Sequence, residues 1–308
     1  MATGTPPDLT AWAGMLACPL DHSPLASDGW RCPACGFMPA LAEAGGRRVL
    51  DFRARETPQT VELAVRIPTA PLSRADLLAS MGRAAAAQFP HYSRRDIRRR
   101  YGTKLDKAMQ YYCQRVLRDC GPDAPVLDLG CGNGGTTRYL RELGFRRVLA
   151  LDWSAAGAAA LADAHRLPLA DATFRLVVAT AVFEHLYQPF LAAQEIARVL
   201  LPGGWFVGGA SFWEAWHGSS FFHLTPDGWH ALCLHAGLTI EDFWPGWGIL
   251  PAAFSHVLTP GYLRGLGYAL QAGLEGVYRL ALGEQGVRKL RLRASGSYQV
   301  CARRNEAA

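Results

Sequence analysis

VLDLGCGNGGT, residues 126–136, decides the fold. It reads as a strand, a glycine turn and a helix N-terminus, an order that brings backbone N–H groups close to a nucleotide. Two fingerprints overlap in it. Gly130, Gly132 and Gly135 spell the G-x-G-x-x-G of dinucleotide enzymes, whereas Asp128 with Gly130, Gly132 and Gly134 spells D-x-G-x-G-x-G. The glycines alone leave the cofactor open. Asp128 narrows it, because a carboxylate two residues before the first glycine would repel the diphosphate of NAD or FAD. A phosphate-free cation suits it better. S-adenosylmethionine carries a sulfonium and an ammonium, and Asp128 can hold the ammonium side directly or through water. The second strand, VLALD, ends in Asp152, placed to accept from both ribose hydroxyls in either cofactor.

Outward from this turn, short apolar runs at 126–129, 147–151, about 159–162, 175–180 and 204–210 alternate with helical stretches. That alternation predicts a parallel sheet built from βαβ units. Only ten residues separate Asp152 from Asp163, so the helix between those strands must be stunted. Thr225, Pro226 and Asp227 start a helix and Gly237 stops it. LTIEDFW (238–244) and YQVCARR (298–304) read as an antiparallel pair. Between them lies an inserted helical segment, about 249–293, whose Leu263, Leu266, Leu270, Leu274 and Val277 share one stripe.

Taken in order, these motifs resemble the class I S-adenosylmethionine-dependent methyltransferases, over roughly residues 121–245 and the last strand. VLDLGCGNGG resembles the first motif, LALDW the ribose-binding acid, and ADAHRLPLADATFRLVV the adenine loop and fourth strand. VFEHL and EIARVLLPGGWFVGGA resemble the family's segments after that strand, including the Pro-Gly-Gly turn before strand five. The resemblance implies an α/β fold with a Rossmann-like seven-stranded sheet and a helical lid or insertion, and S-adenosylmethionine as cofactor. It assigns Asp128, Gly130, Gly132 and Gly134 to the turn and Asp152 to the ribose. Asp163 would bond the adenine amino group, Ala164 would offer its backbone to the ring, and Trp153 would pack on the adenine face. Some relatives bind a divalent metal through Glu-x-x-Glu-His. Here Glu184 and His185 are present but Ala181 stands at the first glutamate position, so only part of that ligand set remains and a catechol-type metal site is disfavoured.

Methyl transfer is an in-line displacement, so the protein must place a nucleophile about 3 Å from the methyl and exclude water. An oxygen nucleophile also benefits from a base. The candidates are His185, just past the fourth strand, and His217 and His223 in SFWEAWHGSSFFHLTPDGW (211–229). Phe212, Trp213, Trp216, Phe221, Phe222 and Trp229 of that stretch either shape the acceptor pocket or pack as core. Tyr101, Tyr111 and Tyr112 either close over the sulfonium or pack.

Near the N-terminus, CPACG (32–36) is a complete zinc knuckle and CPLDH (18–22) an altered one. Cys18, His22, Cys32 and Cys35 make a closed structural Zn2+ site, with Asp21 as the alternative to His22. The region resembles the zinc ribbons that precede the methyltransferase domain in certain bacterial rRNA guanine methyltransferases. The organisation expected is therefore a flexible tail (1–14), a ribbon module (15–52), a linker and helical lid (53–120), and the cofactor-binding domain (121–308).

The chain has 308 residues, 32 Lys+Arg against 26 Asp+Glu, and a net charge of +6. No apolar run reaches membrane-spanning length, and the start lacks the basic and apolar regions of a signal peptide, which reads as a cytoplasmic protein with reduced cysteines. The leading expectation is methyl transfer to a small, aromatic or apolar metabolite. RNA base methylation is the alternative, docking through the ribbon and the arginines of RRDIRRRYGTK (94–104), although TAVFEH lacks the Asn-Pro-Pro-Tyr type of turn that grips a flipped base. A non-catalytic S-adenosylmethionine-binding scaffold is the third.

Overall fold

The computed structural model describes residues 9–26, 30–54, 94–103, 105–217, 220–255 and 263–306. Its strands are β1 (Ala40–Ala44), β2 (Arg47–Asp51), β3 (Val126–Leu129), β4 (Val148–Asp152), β5 (Ala160–Leu161), β6 (Phe174–Thr180), β7 (Leu200–Ser211), β8 (Leu238–Gly248) and β9 (Ser295–Arg304). The helices are α1 (Arg94–Tyr101), α2 (Lys107–Cys120), α3 (Gly135–Leu143), α4 (Pro189–Val199), α5 (Pro226–Ala236), α6 (Ile249–Ala253) and α7 (Arg264–Arg293).

All nine strands form one sheet in the order β1-β2-β5-β4-β3-β6-β7-β9-β8. The seven expected strands are its body, parallel from β5 to β7, with β9 running against both β7 and β8. The N-terminal module adds a hairpin, β1–β2, to this body at the β5 edge. Its β2 pairs in parallel with β5, Leu50 beside Ala160 and Asp51 beside Leu161. A two-residue edge strand leaves backbone groups unpaired, and the hairpin covers them. The stunted crossover is also seen: turns, with no helix, join β4 to β5.

Strand side chains alternate between two buried layers, as the pleat requires. Val126, Val148, Leu176 and Val178 face Ile97, Tyr101, Tyr112 and Cys113 of α1 and α2. Leu127, Leu149 and Val177 face the opposite layer, with Ile196 of α4 and Trp229 of α5. Met109, Tyr112, Cys113 and Val116 follow the helical repeat, and Asp106 caps α2 by accepting from the Met109 N–H. The described part of the expected lid is thus a packed layer of the core; residues 55–93 lie outside the described residues. The Tyr112 hydroxyl donates to buried Asp242 at 2.8 Å, and Tyr101 packs edge-on against Tyr139. Those two tyrosines are packing residues.

Thr10–Met15, at the end of the expected tail, is a 3-10 turn whose Trp12 stacks on Phe174. In α7 the predicted leucine stripe does not turn inward: Leu263, Leu266, Leu270 and Val277 are exposed, while Gly267 and Gln271 are buried. The reason is close approach to α6. A Cβ on Gly267 would lie 2.9 Å from both the Leu250 carbonyl and Pro251 Cα, so only the small face fits. No described helix is long and apolar enough to cross a membrane.

Candidate active site

The chain leaves β3 for β4 and β5 on one side, then returns to β6 and β7 on the other. The connections at the carboxyl ends of β3 and β6 therefore diverge, which opens a crevice. A cavity of about 620 Å³ lies there, lined among others by Gly130, Gly132, Asp152, Trp153, Asp163, Ala164, His185 and Phe221. That volume suits a ligand the size of a nucleoside derivative.

The glycine turn is shaped by positive φ, +68° at Gly130 and +55° at Gly132. A Cβ on Gly130 would lie 2.3 Å from Val182 Cγ2, whereas one on Gly132 would meet nothing within 4 Å. Gly132 thus presents bare backbone to the cavity. Its N–H donates to Asp152 Oδ2 at 3.0 Å, and the N–H groups of Ser154 and Ala155 donate to Oδ1 at 2.9 and 3.0 Å. Three donors hold this carboxylate at the cavity wall.

Asp163 is fixed by His165, a residue that sequence reasoning missed. Backbone N–H and ring Nδ1 of His165 both reach Asp163 Oδ1, at 2.9 and 2.6 Å. Since the Gln188 N–H donates to His165 Nε2 at 3.3 Å, the ring proton of the neutral imidazole sits on Nδ1. Burial raises the Asp163 pKa, but the bonds from His165 outweigh it and hold the carboxyl below its usual range. The signal was available in ADAH, where a histidine two residues after an acid can close on it.

Trp153 is 55% exposed and lines the cavity. Arg53, the residue after the ribbon module, lies 5.0 Å over its ring, donates to its carbonyl at 2.8 Å and pairs with buried Asp51 at 2.7 Å. Asp128 and Gly134 are placed differently from expectation. Asp128 is 2% exposed, does not line the cavity, and accepts from the Thr137 hydroxyl of α3. Burial pushes its carboxyl up to about 7. Gly134, with φ of +75°, is the N-cap of α3. Both residues build the turn from behind.

On the acceptor side, β6 is followed by Ala181, a non-glycine residue with φ of +55° whose N–H bonds the Gly209 carbonyl. The turn delivers Glu184 and His185. Ser211 Oγ lies 3.1 Å from Glu184 Oε1 and 2.8 Å from Glu214 Oε2, and its one proton serves a single carboxylate at a time. His217 Nδ1 faces the Ala215 carbonyl at 2.9 Å, and His223 Nδ1 faces the Phe212 carbonyl at 3.0 Å. The rings of His185 and His217 meet edge-on at 5.6 Å, and His223 lies 6.2 Å from His217. The three candidate histidines are therefore neighbours. The aromatic stretch divides: Trp229 is core and Phe212 packs on Tyr298, while Trp213, Trp216, Phe221 and Phe222 are exposed.

In the ribbon, Cys18, Asp21, Cys32 and Cys35 bring one donor atom each within 4.8 Å of one another. Asp21, the alternative fourth ligand, belongs to this cluster, and His22 does not. The two knuckles are the same turn: the N–H of Cys18 bonds the Ser23 carbonyl as that of Cys32 bonds Phe37, and the N–H of His22 bonds Cys18 as that of Gly36 bonds Cys32. Asp21 is thus the counterpart of Cys35, and His22 of Gly36, both with positive φ. His22 turns away, 3.8 Å from Glu195. The Ser23 N–H, donating at 2.9 Å, holds the Asp21 carboxyl below its usual range.

Comparison with known proteins bears on the same residues. Residues 127–208 match the model of a methyltransferase domain. Malonyl-[acyl-carrier protein] O-methyltransferase of Enterobacter lignolyticus (strain SCF1) is 34% identical over 146 residues, 44% of this chain and 53% of that protein. The protein of the same name from Pseudescherichia vulneris is 38% identical over 92 residues, 26% of this chain and 36% of that protein. The chain spans about half the length, or less, of these curated relatives. The crystal structure of the [4+2]-cyclase SpnF superposes with a TM-score of 0.43 at 19% identity, covering 67% of this chain and 84% of that one. Every lining residue named for the cavity except Phe221 falls within 127–208, so the segment that matches this model builds nearly all of the cavity.

Proposed function

We propose that this protein is an S-adenosylmethionine-dependent methyltransferase acting on a small, aromatic or apolar acceptor, with a structural Zn2+ in its ribbon. The observation that carries the reading is the pair of carboxylates, Asp152 and Asp163, on successive loops at the wall of one cavity, with Trp153 between them. The residues fit the cofactor. Gly132 leaves room where a side chain would intrude, Asp152 is oriented for ribose hydroxyls, and Asp163 is held ionised to accept from an adenine amino group. S-adenosylmethionine supplies an electrophilic methyl group on a sulfonium.

The chain's own work is then placement and exclusion of water. Trp153, steadied by Arg53, covers the adenine face. Phe221 walls the cavity, with Trp216 and Phe222 exposed on the same loop to meet an apolar acceptor. The ribbon set of three thiols and one carboxylate is a closed tetrahedral donor set, which suits zinc in a structural role. Titration calorimetry with S-adenosylhomocysteine, followed by a methyl-transfer screen over small hydroxylated and aromatic acceptors, tests the reading. Binding without transfer would favour a scaffold, and transfer only to RNA, with steep salt dependence, would favour the RNA reading.

A further inference from the structure

Glu184 poses a problem that the methyltransferase reading leaves unanswered. It is 1% exposed, its Oε1 shares the Ser211 hydroxyl with Glu214, and its Oε2 has no hydrogen-bond partner among the described residues. No lysine, arginine or histidine pairs with it among the described residues. Buried carboxylates are ordinarily paired with a cation or bound to a metal. Two imidazoles stand beside it. Glu184, His185 and His217 each bring a donor atom within 4.8 Å of the others, from segments more than thirty residues apart in the case of Glu184 and His217.

The His217 ring is prepared for such a role. Its Nδ1 faces a carbonyl, which can only accept, so the proton belongs there and Nε2 keeps its lone pair. Ligating histidines are commonly oriented this way, by donating the other ring N–H to a backbone carbonyl. The loop is tied to the same place by Phe221, whose N–H donates to the Glu184 carbonyl at 2.6 Å. Ala181 is absent as a ligand, and His217 supplies the third donor from elsewhere in the chain.

We infer that Glu184, His185 and His217 bind a divalent first-row transition metal ion at the rim of the cofactor cavity, and that this ion receives the acceptor's oxygen. Two imidazoles and one carboxylate favour Mn2+, Fe2+, Co2+ or Zn2+ over Mg2+ and Ca2+, and three protein ligands leave positions open. Resting on the methyltransferase reading, the ion names the acceptor class: a hydroxyl flanked by a second oxygen donor, on an apolar or aromatic body. The bound hydroxyl gives its proton to solvent base, an oxygen lone pair forms the new O–CH3 bond, and the C–S bonding pair returns to sulfur, leaving S-adenosylhomocysteine. His185 and His217 then serve as ligands and not as the base.

The test uses the full chain with its ribbon loaded with zinc, titrated with Mn2+ alone and followed by the electron paramagnetic resonance of free Mn2+. One Mn2+ should bind per chain, and Glu184→Gln and His217→Ala should each weaken it by about tenfold or more, while His230→Ala on α5 should not. Bound Mn2+ should also broaden the proton resonances of bound S-adenosylhomocysteine, which a distant adventitious site would not do. Absence of stoichiometric binding, or equal binding by both ligand variants, overturns the proposal; if Glu184→Gln does not fold, His217→Ala decides alone. Calorimetry with S-adenosylhomocysteine separates this failure from the other, because a missing metal leaves cofactor binding intact, whereas a wrong methyltransferase reading removes it.

Discussion

The two sides of the cavity are built by opposite strategies. On the cofactor side each acid is fixed chiefly by neighbours in sequence: Asp152 by Ser154 and Ala155, with the Gly132 N–H added from the preceding turn, and Asp163 by His165. On the acceptor side the partners come from far along the chain: Ser211 and Phe221 meet Glu184, and Trp247 donates to Glu214. The lesson concerns where specificity can vary. A site made of short-range turns is preserved when its strand and turn are preserved, whereas one made of meeting loops depends on the whole fold. The ribbon is the extreme of the local kind, two matching turns facing each other.

Breaking the ribbon should have the largest effect, because a structural metal contributes its binding energy directly to folding. Cys18 and Cys32 belong to the same buried cluster as Leu127 and Phe174, so loosening there reaches the sheet. Cys32→Ser is expected to lose bound zinc and several kcal/mol of stability, lowering Tm by about 5 °C or more. Elemental analysis and thermal unfolding check both halves. Full stability in zinc-free protein would show that the turns stand without metal.

Next comes Asp128, which supports the local site from behind. Its folded carboxyl titrates near 7 and its ordinary value is 3.8, so between those values the folded state holds a proton that the unfolded state has released. Its contribution to stability is full below about 3.8 and declines as pH rises toward 7, by a few kcal/mol in all. Asp128→Asn removes the titration while still accepting from Thr137. The variant's Tm advantage over the parent should therefore grow from pH 5 to pH 8 in a calorimetric series; a constant difference would show that Asp128 stays ionised.

Cofactor affinity gives the third effect. Asp152→Ala and Asp163→Ala should each weaken S-adenosylhomocysteine binding by about 1–3 kcal/mol, roughly five- to 150-fold, as buried hydrogen bonds to the ligand are lost. Asp152 also anchors Gly132, so it should sit at the upper end. Equal binding by parent and both variants in titration calorimetry would remove the cofactor assignment.

Legibility in the sequence divides along the same line. The succession of strands and helices and the glycine turn rest on short apolar runs and on turns a few residues long, so they were legible. The β1–β2 hairpin was not seen as part of the sheet because parallel pairing with a two-residue β5 leaves no mark in either segment. The α7 stripe misled for a related reason: apolar periodicity reports a face, but the backbone approach of α6 at Gly267 chose another. At the fourth ribbon ligand, residue chemistry favoured His22, while the repeat of the two turns favoured Asp21. Glu184 needed partners that only the folded chain brings to it.

The smallest expected effect on stability is also the sharpest probe of the acceptor side. Trp216 is 77% exposed, so Trp216→Ala should change folding stability by less than about 0.5 kcal/mol. If its ring meets an apolar acceptor, the same variant should raise the KM for that acceptor severalfold and leave S-adenosylhomocysteine affinity unchanged. The basic helix supplies the contrast. Arg98 and Arg99 are exposed, and Arg100 pairs with Glu142 at 2.9 Å where both side chains are half in water, a contact worth little. Replacing all three by alanine should leave transfer to a small molecule nearly unchanged. RNA as the acceptor reverses the pattern, because each lost phosphate contact would weaken binding and flatten its logarithmic salt slope by about 0.7–0.9. Steady-state kinetics of the two variants side by side therefore decide which surface the acceptor uses, since one of them must fall while the other stands.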